Sequence, residues 1–448
     1  MGNSKMCVRE IGSRRELFCD RWLIDKLDRA KLRLHHPVPQ EIALSFDRPW
    51  EGPISFYVAI LEHGGEARAY YRGWQGEKTR NDCVAVATSP DGIAWTRPNL
   101  GLYEWKGSRE NNICWIGQGA HAFAPFVDAN PATTAAQTFK ALAPLRGKGR
   151  KGLVPFVSED GYRWTMLQQE PVITDGAFDS QNLAYWDTLR GKYVSFYRDF
   201  RNGVRDIKFS TSDDMLHWAE GQWLDYGGAP REHFYTNATI SYPRAPHIYM
   251  AFPKRFVPGR KVVPEHPGAG LSDGVFMTSR DGLHWDRTFL EAFLRPGRDR
   301  NNWTERNMGI AWGIVQTADD ELSLYWVENY RHPTCRLRRG TLRVDGFASA
   351  YAGYAGGELL THPLSFEGEE LVLNYATSAA GSVRVELQDV DGNPLPGYTL
   401  EENEELYGDE LERPVSWKGI SLAALAEQPV RLRFVLRDAD VYSLRFRS

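Results

Sequence analysis

Apolar and polar positions alternate with period two over most of this chain, and the exception lies near its start. Residues 14–30 place Leu17, Phe18, Trp22, Leu23 and Leu27 at helical spacing, which predicts one short helix there. From Leu32 onward the pattern is that of strands. Five segments then open alike, with a polar cluster, an apolar strand, a turn, and an aromatic strand that ends in charge. The first runs from Pro49-Trp50-Glu51-Gly52 through Ile54–Ile60 to Ala69-Tyr70-Tyr71-Arg72. The second opens at Gly119-Ala120-His121 and runs to Val127, with a weaker second strand near Lys140-Ala141-Leu142-Ala143. The third opens at Phe178-Asp179-Ser180-Gln181-Asn182 and ends its second strand at Phe196-Tyr197-Arg198-Asp199. The fourth opens at Glu232-His233-Phe234-Tyr235-Thr236-Asn237 and reaches Phe252-Pro253-Lys254-Arg255. The fifth opens at Thr304-Glu305-Arg306-Asn307 and reaches Tyr325-Trp326-Val327-Glu328.

A phrase recurs at the far end of four of these segments. It reads Ser-x-Asp-Gly-x-x-Trp and ends at Trp95, Trp164, Trp218 and Trp285, with Met215 replacing Gly in the third copy. The tryptophans stand 69, 54 and 67 residues apart. That period is too long for a solenoid and suits a four-stranded blade plus a loop. Asp-Gly favours a tight turn with positive φ, the Ser and Asp side chains can bond to turn amides, and the Trp can pack between sheets. The repeat is therefore read as a fold element. It resembles the Asp box of sialidase-type propellers with its Gly shifted. The expected fold is all-β: a five-bladed β-propeller whose fifth blade lacks the motif and closes with Arg336–Phe347, latched by strands from both chain ends.

After about Ala350 the texture changes. Leu371-Val372-Leu373, Val383-Arg384-Val385 and Val430–Leu436 alternate with period two, separated by turns such as Asp391-Gly392-Asn393-Pro394. This predicts a separate C-terminal β-sandwich of about 90–100 residues. The expected organisation is a helix and closing strand over residues 1–45, on the outside of the propeller or at its closure. The propeller then spans 46–350 and the sandwich 351–448. The basic-apolar alternation from Arg431 to Phe446 reads as one packed and one solvated face.

Composition narrows the class. The 448 residues are 42% hydrophobic, 25% charged and 12% aromatic, an ordinary globular balance with room for two cores. Fifteen Trp and 20 Tyr suit blade packing and sugar-stacking platforms alike. A net charge of -4 gives no footprint for nucleic acid or an anionic membrane. Cys7, Cys19, Cys83, Cys114 and Cys335 are scattered, without CxxC, so neither a disulfide framework nor a zinc site is expected. No apolar run is long enough to span a bilayer. The opening, Met1 to Met6, has no apolar core of a signal peptide, and Met6 breaks a myristoylation pattern, so a cytoplasmic location is expected.

In a propeller the innermost strands line the axis, and ligands bind where those strands begin or end, at one mouth of the funnel. The polar openings are therefore the pocket candidates: Glu51, His121, Asp179 with Gln181 and Asn182, Glu232 with His233 and Asn237, and Glu305 with Arg306 and Asn307. Carboxylates gathered at one mouth suit glycoside hydrolysis, which needs one carboxyl protonated as acid and one ionised as nucleophile or base. They also suit plain ion pairs with Arg255 or Arg306. His121 and His233 read as hydrogen-bond donors rather than metal ligands. No metal or other cofactor is expected, with a structural calcium left open.

Glu51, Asp179 and Glu232 at the openings of segments one, three and four resemble the acidic triad of the five-bladed propeller glycosidases of families 32, 43 and 68, and Pro49-Trp50-Glu51-Gly52 and Phe178-Asp179-Ser180-Gln181-Asn182 resemble segments of an uncharacterised bacterial family-32-like group. Arg198-Asp199-Phe200 stands where family 32 has Arg-Asp-Pro, and Glu232 is followed by His233 rather than Cys. The resemblance implies a carboxylate triad in the funnel, with Glu51 as nucleophile or base, Asp179 as stabiliser and Glu232 as general acid. Asp47 competes with Glu51 for its role, and Asp199 with Asp179. Trp50, Arg72, Arg198, Arg255, Arg306 and Glu328 would form the next ring. Its arginines either grip an anionic sugar or neutralise the carboxylates. The function implied is a glycosidase acting on a terminal, exo-positioned sugar of an oligo- or polysaccharide. The competing readings are a non-catalytic sugar-binding propeller, a protein-interaction propeller and a polysaccharide lyase.

Overall fold

A computed structural model describes residues 8–74, 82–147 and 150–448. Met6 and Cys7, which entered the expectations above, lie outside the described residues. The chain divides into two compact units. The larger comprises Pro37–Tyr242 and Pro246–Leu342. The smaller comprises Pro243–Ala245, Arg343–Ser448 and the chain up to His36. Both are built from strands, and the helical elements among the described residues are single 3-10 turns such as Ala120–Ala122 and Arg300–Trp303.

The larger unit is a series of small antiparallel sheets, the first three each from consecutive strands. The first sheet orders Phe56–His63, Glu66–Gly73, Cys83–Ser89 and Ile113–Ile116. The second orders Ala124–Val127, Phe139–Gly147, Arg150–Ser158 and Thr165–Met166. The third orders Leu183–Asp187, Lys192–Arg201, Val204–Ser212 and Gln222–Trp223. The last sheet combines Gly309–Ile310, Glu321–Glu328 and Arg336–Arg343 with Val38–Ser45, which pairs antiparallel to Arg336–Arg343 from the other end of the chain.

The fourth segment departs from the single sheet its pattern suggested. Ala245–Ala251 pairs with Met277–Ser279, while Lys254–Val257 pairs with Leu271–Gly274 and His233–Phe234 in a second sheet. Pro253 stands at the break. It has no N–H to give the ladder, so the pairing is interrupted there and resumes at Lys254.

All four copies of the repeat have one geometry. Each links the third strand of a sheet to the fourth strand or bridge. The aspartate Oδ1 accepts from the second and third backbone N–H groups after it, at 2.8 Å in Asp160 and at 2.8 and 2.7 Å in Asp281. The tryptophan Nε1 donates back to the carbonyl at the Gly position, at 3.1, 2.9, 2.8 and 2.9 Å along the chain. That position has positive φ throughout, including 69° at Met215. Met215 accepts the left-handed backbone because its side chain is fully buried in the core with Phe126, Leu183 and Tyr193.

The smaller unit is organised by two long strands, Glu370–Gln388 and Arg431–Arg447, paired antiparallel. Leu432, Phe434 and Leu436 face its core with Val383, Val385 and Trp417, and Arg433 between them faces Glu358 and Glu386 outside. The helix expected over residues 14–30 is not formed. Glu16–Leu17 pairs with Arg431–Arg447, and Ile24–Asp28 pairs with Gly357–Thr361. Phe18, Leu23 and Ile24 are buried in that core, and the Phe18 N–H donates to the Tyr442 carbonyl. A strand edge that can take both backbone partners and apolar side chains outweighs a weak helical pattern. Cys19, Cys83, Cys114 and Cys335 are buried free thiols. Among the described residues no helix is long and apolar enough to cross a membrane.

Candidate functional site

The site lies in the larger unit and is built from strand starts and their flanking loops. Tyr57 begins it. The pairing of Phe56–His63 with Glu66–Gly73 slips between Phe56 and Ala59, and Tyr57 there has φ 54°. A bulky aromatic in the left-handed region is costly, and a bulge re-aims its side chain. The Tyr57 ring is buried under the Arg72 guanidinium, 4.8 Å away, and Trp74 lies at 5.4 Å from the same guanidinium. Burial raises the Tyr57 hydroxyl well above the ordinary tyrosine value, with Tyr235, Asp179 and Tyr330 adding to it and Arg72 opposing. The phenol therefore stays protonated.

Beside it stands a carboxylate-imidazole-carboxylate row. His121 comes from the turn just before the first strand of the second sheet. Its Nδ1 lies 2.8 Å from Asp82 and its Nε2 lies 3.2 Å from Asp179 Oδ1. Arg72 approaches the same Nε2 at 3.1 Å and donates to the Ile54 carbonyl and the Tyr330 hydroxyl. Burial disfavours ionisation of Asp82, but its hydrogen bond to His121 and the charges of His121 and Arg72 overcome this, so its pKa lies below the usual carboxylate value. Asp179 is 66% exposed while His121 is 10% exposed. The row thus runs from a partly buried anchor to an open carboxylate.

Around Tyr235 the chain gathers cations. Lys254 Nζ, Arg205, Arg198 and Arg306 lie 4.5, 5.2, 5.3 and 5.9 Å from the centre of that one ring. Lys254 is completely buried, lies 4.1 Å from the Phe56 ring, and donates to the Arg306 carbonyl at 3.1 Å. Among the described residues Arg72, Arg198, Arg205 and Lys254 form no ion pair with a carboxylate; Arg198 donates to the Ala177 carbonyl instead. Burial holds the Lys254 ammonium well below lysine's usual range, and Arg306, Arg72, Arg198 and Arg205 push it further down. Arg205 is lowered as well, by burial and then by Arg198 and Arg306, against the opposing pull of Tyr235 and Asp179. Removing an ion from water costs several kcal/mol even after relaxation. A cation-π contact returns only about 0.5–2 kcal/mol. The cluster is therefore not self-compensating.

The structure brings together Arg72, His121, Asp179, Arg198 and Arg306 of the expected residues, and His233 joins through Arg205, whose backbone N–H donates to His233 Nδ1 at 3.2 Å. Glu305 adjoins them; it is buried and held by Arg331 at 2.9 Å, with Arg306 at 3.4 Å.

The other expected residues have different work. Glu51 is the residue expected as nucleophile or base. It is fully buried, its oxygens accept from Arg97 at 2.8 and 3.0 Å and from the Tyr71 hydroxyl at 2.6 Å, and Asn112 links Tyr71 to Trp50. Trp50 thus braces this ion pair. Asp47 is exposed beside Arg48 and Arg97. Glu232, the expected acid, has one oxygen on Arg255 at 3.0 Å and the other on Arg287 at 2.8 Å, while Arg255 also binds Asp273. Asp199 pairs with Lys208. Glu328 pairs with Arg336 and Arg338. Gln181 donates to the Val58 carbonyl, Asn182 to those of Phe178 and Ser180, and Asn237 to that of Phe196, so these three buried amides tie loops to strands. The three carboxylates of the expected triad each belong to a different set of partners. Among the described residues no group of three or more His, Cys, Asp or Glu side chains is arranged to hold a metal ion.

Tyr57, Asp82, Arg205, Tyr235, Lys254 and Tyr330 were not anticipated. Lys254 and Tyr235 stood inside segments that were singled out, one residue and three residues from Arg255 and Glu232. Successive strand residues face opposite sides, and the sequence does not say which side holds the site.

No family model matches the chain, and no curated protein does. Among solved structures it is similar to a β-1,2-mannobiose phosphorylase from Listeria innocua, with 11% identity, a TM-score of 0.45, and coverage of 70% of this chain and 97% of the other. It is similar to an α-L-arabinofuranosidase from Fusarium graminearum at 11% identity and a TM-score of 0.43, covering 68% and 98%. It is also similar to a glycosyl hydrolase from Bacteroides ovatus at 16% identity and a TM-score of 0.41, covering 71% and 94%.

Proposed function

We propose that this chain is a carbohydrate-active enzyme that cleaves a glycosidic bond, with Asp179 transferring the proton at the glycosidic oxygen. In this reading the sheets of the larger unit are the five blades of a propeller, and the smaller unit is a β-sandwich. The observation that carries it is the Asp82–His121–Asp179 row beside buried aromatic faces. Cleavage needs a carboxyl group that can meet a sugar oxygen while its neighbours keep it oriented. Asp179 is 66% exposed, and His121, anchored by Asp82, lies 3.2 Å from it. Trp74, half-buried beside Arg72, supplies a ring on which a sugar can rest. Terminal, exo action goes with this arrangement, because strand starts converging on one point make a pocket rather than a cleft.

Asp179 takes the acid role in place of Glu232, whose two oxygens are occupied by guanidinium groups. A second reading, sugar binding without cleavage, is favoured by the separate engagement of Glu51 and Glu232. One experiment separates the two. The purified protein is screened on aryl glycosides and on plant, algal and microbial oligosaccharides, followed by Asp179→Asn on whatever is cleaved. The variant should lose about 10²–10⁴-fold in kcat/KM while retaining sugar binding. Full activity in Asp179→Asn removes it from the acid role, and sugar binding by a wild-type protein that cleaves nothing favours the second reading.

A further inference from the structure

We propose that Arg198, Arg205, Lys254 and Arg306 form an oxyanion-binding subsite around Tyr235, which receives a carboxylate or phosphate group next to Asp179. The inference rests on the proposed function only for the sugar to which that group belongs or is delivered; the anion site itself stands on its own geometry.

Three guanidinium groups and the Lys254 amine surround one ring, and they come from separate segments of the chain. Arg198 and Arg205 come from neighbouring strands of the third sheet, where Arg198 pairs with Ile207 and Arg205 with Phe200. Lys254 resumes the ladder after Pro253, and Arg306 sits in a loop with φ 61°, two residues before Met308 at φ 58°. Arg72 and Arg331 lie at the edge. Among the described residues the carboxylates meeting this group are Asp82, Asp179 and Glu305, and each is engaged, Asp82 and Asp179 by His121 and Glu305 by Arg331 and Arg306.

Positive charge is therefore in excess where water is scarce. Arg198 and Lys254 are buried, at 4% and 0% exposure, and the buried Nε of Arg205 lacks a hydrogen-bond partner, while that of Arg306 has only Glu305, at 3.4 Å. Other buried or half-buried basic groups of the larger unit do meet carboxylates. Arg97 meets Glu51, Lys140 meets Asp128 and Arg287 meets Glu232. The Tyr235 cluster breaks that pattern, and an anion is the group that would complete it. Guanidinium forks suit the paired oxygens of carboxylate and phosphate, and a lysine serves as a point charge on either. The uronate of an acidic sugar and free phosphate share this chemistry.

The test is calorimetric titration of the full chain at fixed ionic strength with sodium phosphate, with glucuronate and galacturonate, and with glucose as the neutral control. Saturable binding of phosphate, of a uronate, or of both is expected, with glucose at least tenfold weaker. Phosphate alone identifies a free anion as the occupant; a uronate bound tighter than phosphate identifies an acidic sugar. Arg205→Gln, at a half-buried position without a carboxylate to strand, should fold as the parent does and weaken the anion at least tenfold. Arg198→Met should do the same, and the thermal shift that the anion confers on the wild type should vanish in both. Absence of saturable binding by every anion overturns the proposal, as does undiminished binding in both variants. Asp179→Asn separates the two readings: it should keep the anion while losing cleavage. An anion bound by a protein that cleaves no glycoside would sink the proposed function and leave this subsite standing.

Discussion

Glu51→Gln decides between a nucleophile and a buried brace. The substitution keeps the shape of the side chain, removes its charge, and turns one acceptor oxygen into an NH₂ donor. At this position both oxygens accept, from Arg97 at 2.8 and 3.0 Å, from Tyr71 at 2.6 Å and from the Arg48 backbone N–H at 3.1 Å. No orientation of the amide serves all of these donors. Glu51 is fully buried and Arg97 is 17% exposed, so little water enters to repair the loss. Stranding one partner of a buried ion pair costs about 3–5 kcal/mol. The partial exposure of Arg97 points to the lower end, about 3 kcal/mol. At about 2 °C per kcal/mol for a unit of this size, the melting temperature should fall by about 6 °C. Thermal unfolding followed by circular dichroism reads this directly, with activity measured well below the transition. Folded Glu51→Gln should retain most of the wild-type kcat/KM. A melting temperature within about 1 °C of wild type, with activity reduced a hundredfold or more, would refute the reasoning and return Glu51 to the nucleophile's role.

Two further outcomes follow from packing and charge. Met215→Gly relieves about 1–2 kcal/mol of left-handed backbone strain but removes a fully buried side chain worth about 2–5 kcal/mol, so the variant should be destabilised by up to about 4 kcal/mol; a raised urea midpoint would show that backbone strain wins. Lys254→Met should stabilise the protein at neutral pH. Because the folded pKa of Lys254 is depressed, the unfolded chain binds the extra proton as pH falls below lysine's ordinary value of about 10.4. Wild-type stability is lost on that descent, while the variant escapes the loss. The stability difference, from urea titrations, should therefore shrink as pH rises toward 10, and a difference that grows with pH would contradict the assignment.

The repeat was legible because its chemistry is local. Asp160 bonds to the N–H groups of Tyr162 and Arg163, and Trp164 returns to Gly161, all within a few residues. Such geometry travels with the words of the sequence. The polar openings were legible for the same kind of reason, since His121, Asp179 and Arg306 flank strands whose alternation can be read directly. The triad was not. Whether Glu51 faces a pocket or Arg97, 46 residues on, depends on which loop packs over it. The helix expected over residues 14–30 failed similarly, because its backbone partners lie beyond residue 350.

By itself, then, the sequence determined a strand-built chain, the four Ser-x-Asp-Gly-x-x-Trp turns and a set of polar strand openings, all products of contacts between near neighbours. Only the tertiary structure decided which openings meet. It chose Lys254 over Arg255, because adjacent strand residues point to opposite faces and only the completed sheet sets which face turns inward. It drew Arg198, Arg205 and Arg306 around Tyr235, and it withdrew Glu51 and Glu232 into ion pairs. A charge acquires its role from the partners that folding leaves within its reach, and those partners here are tens to hundreds of residues away.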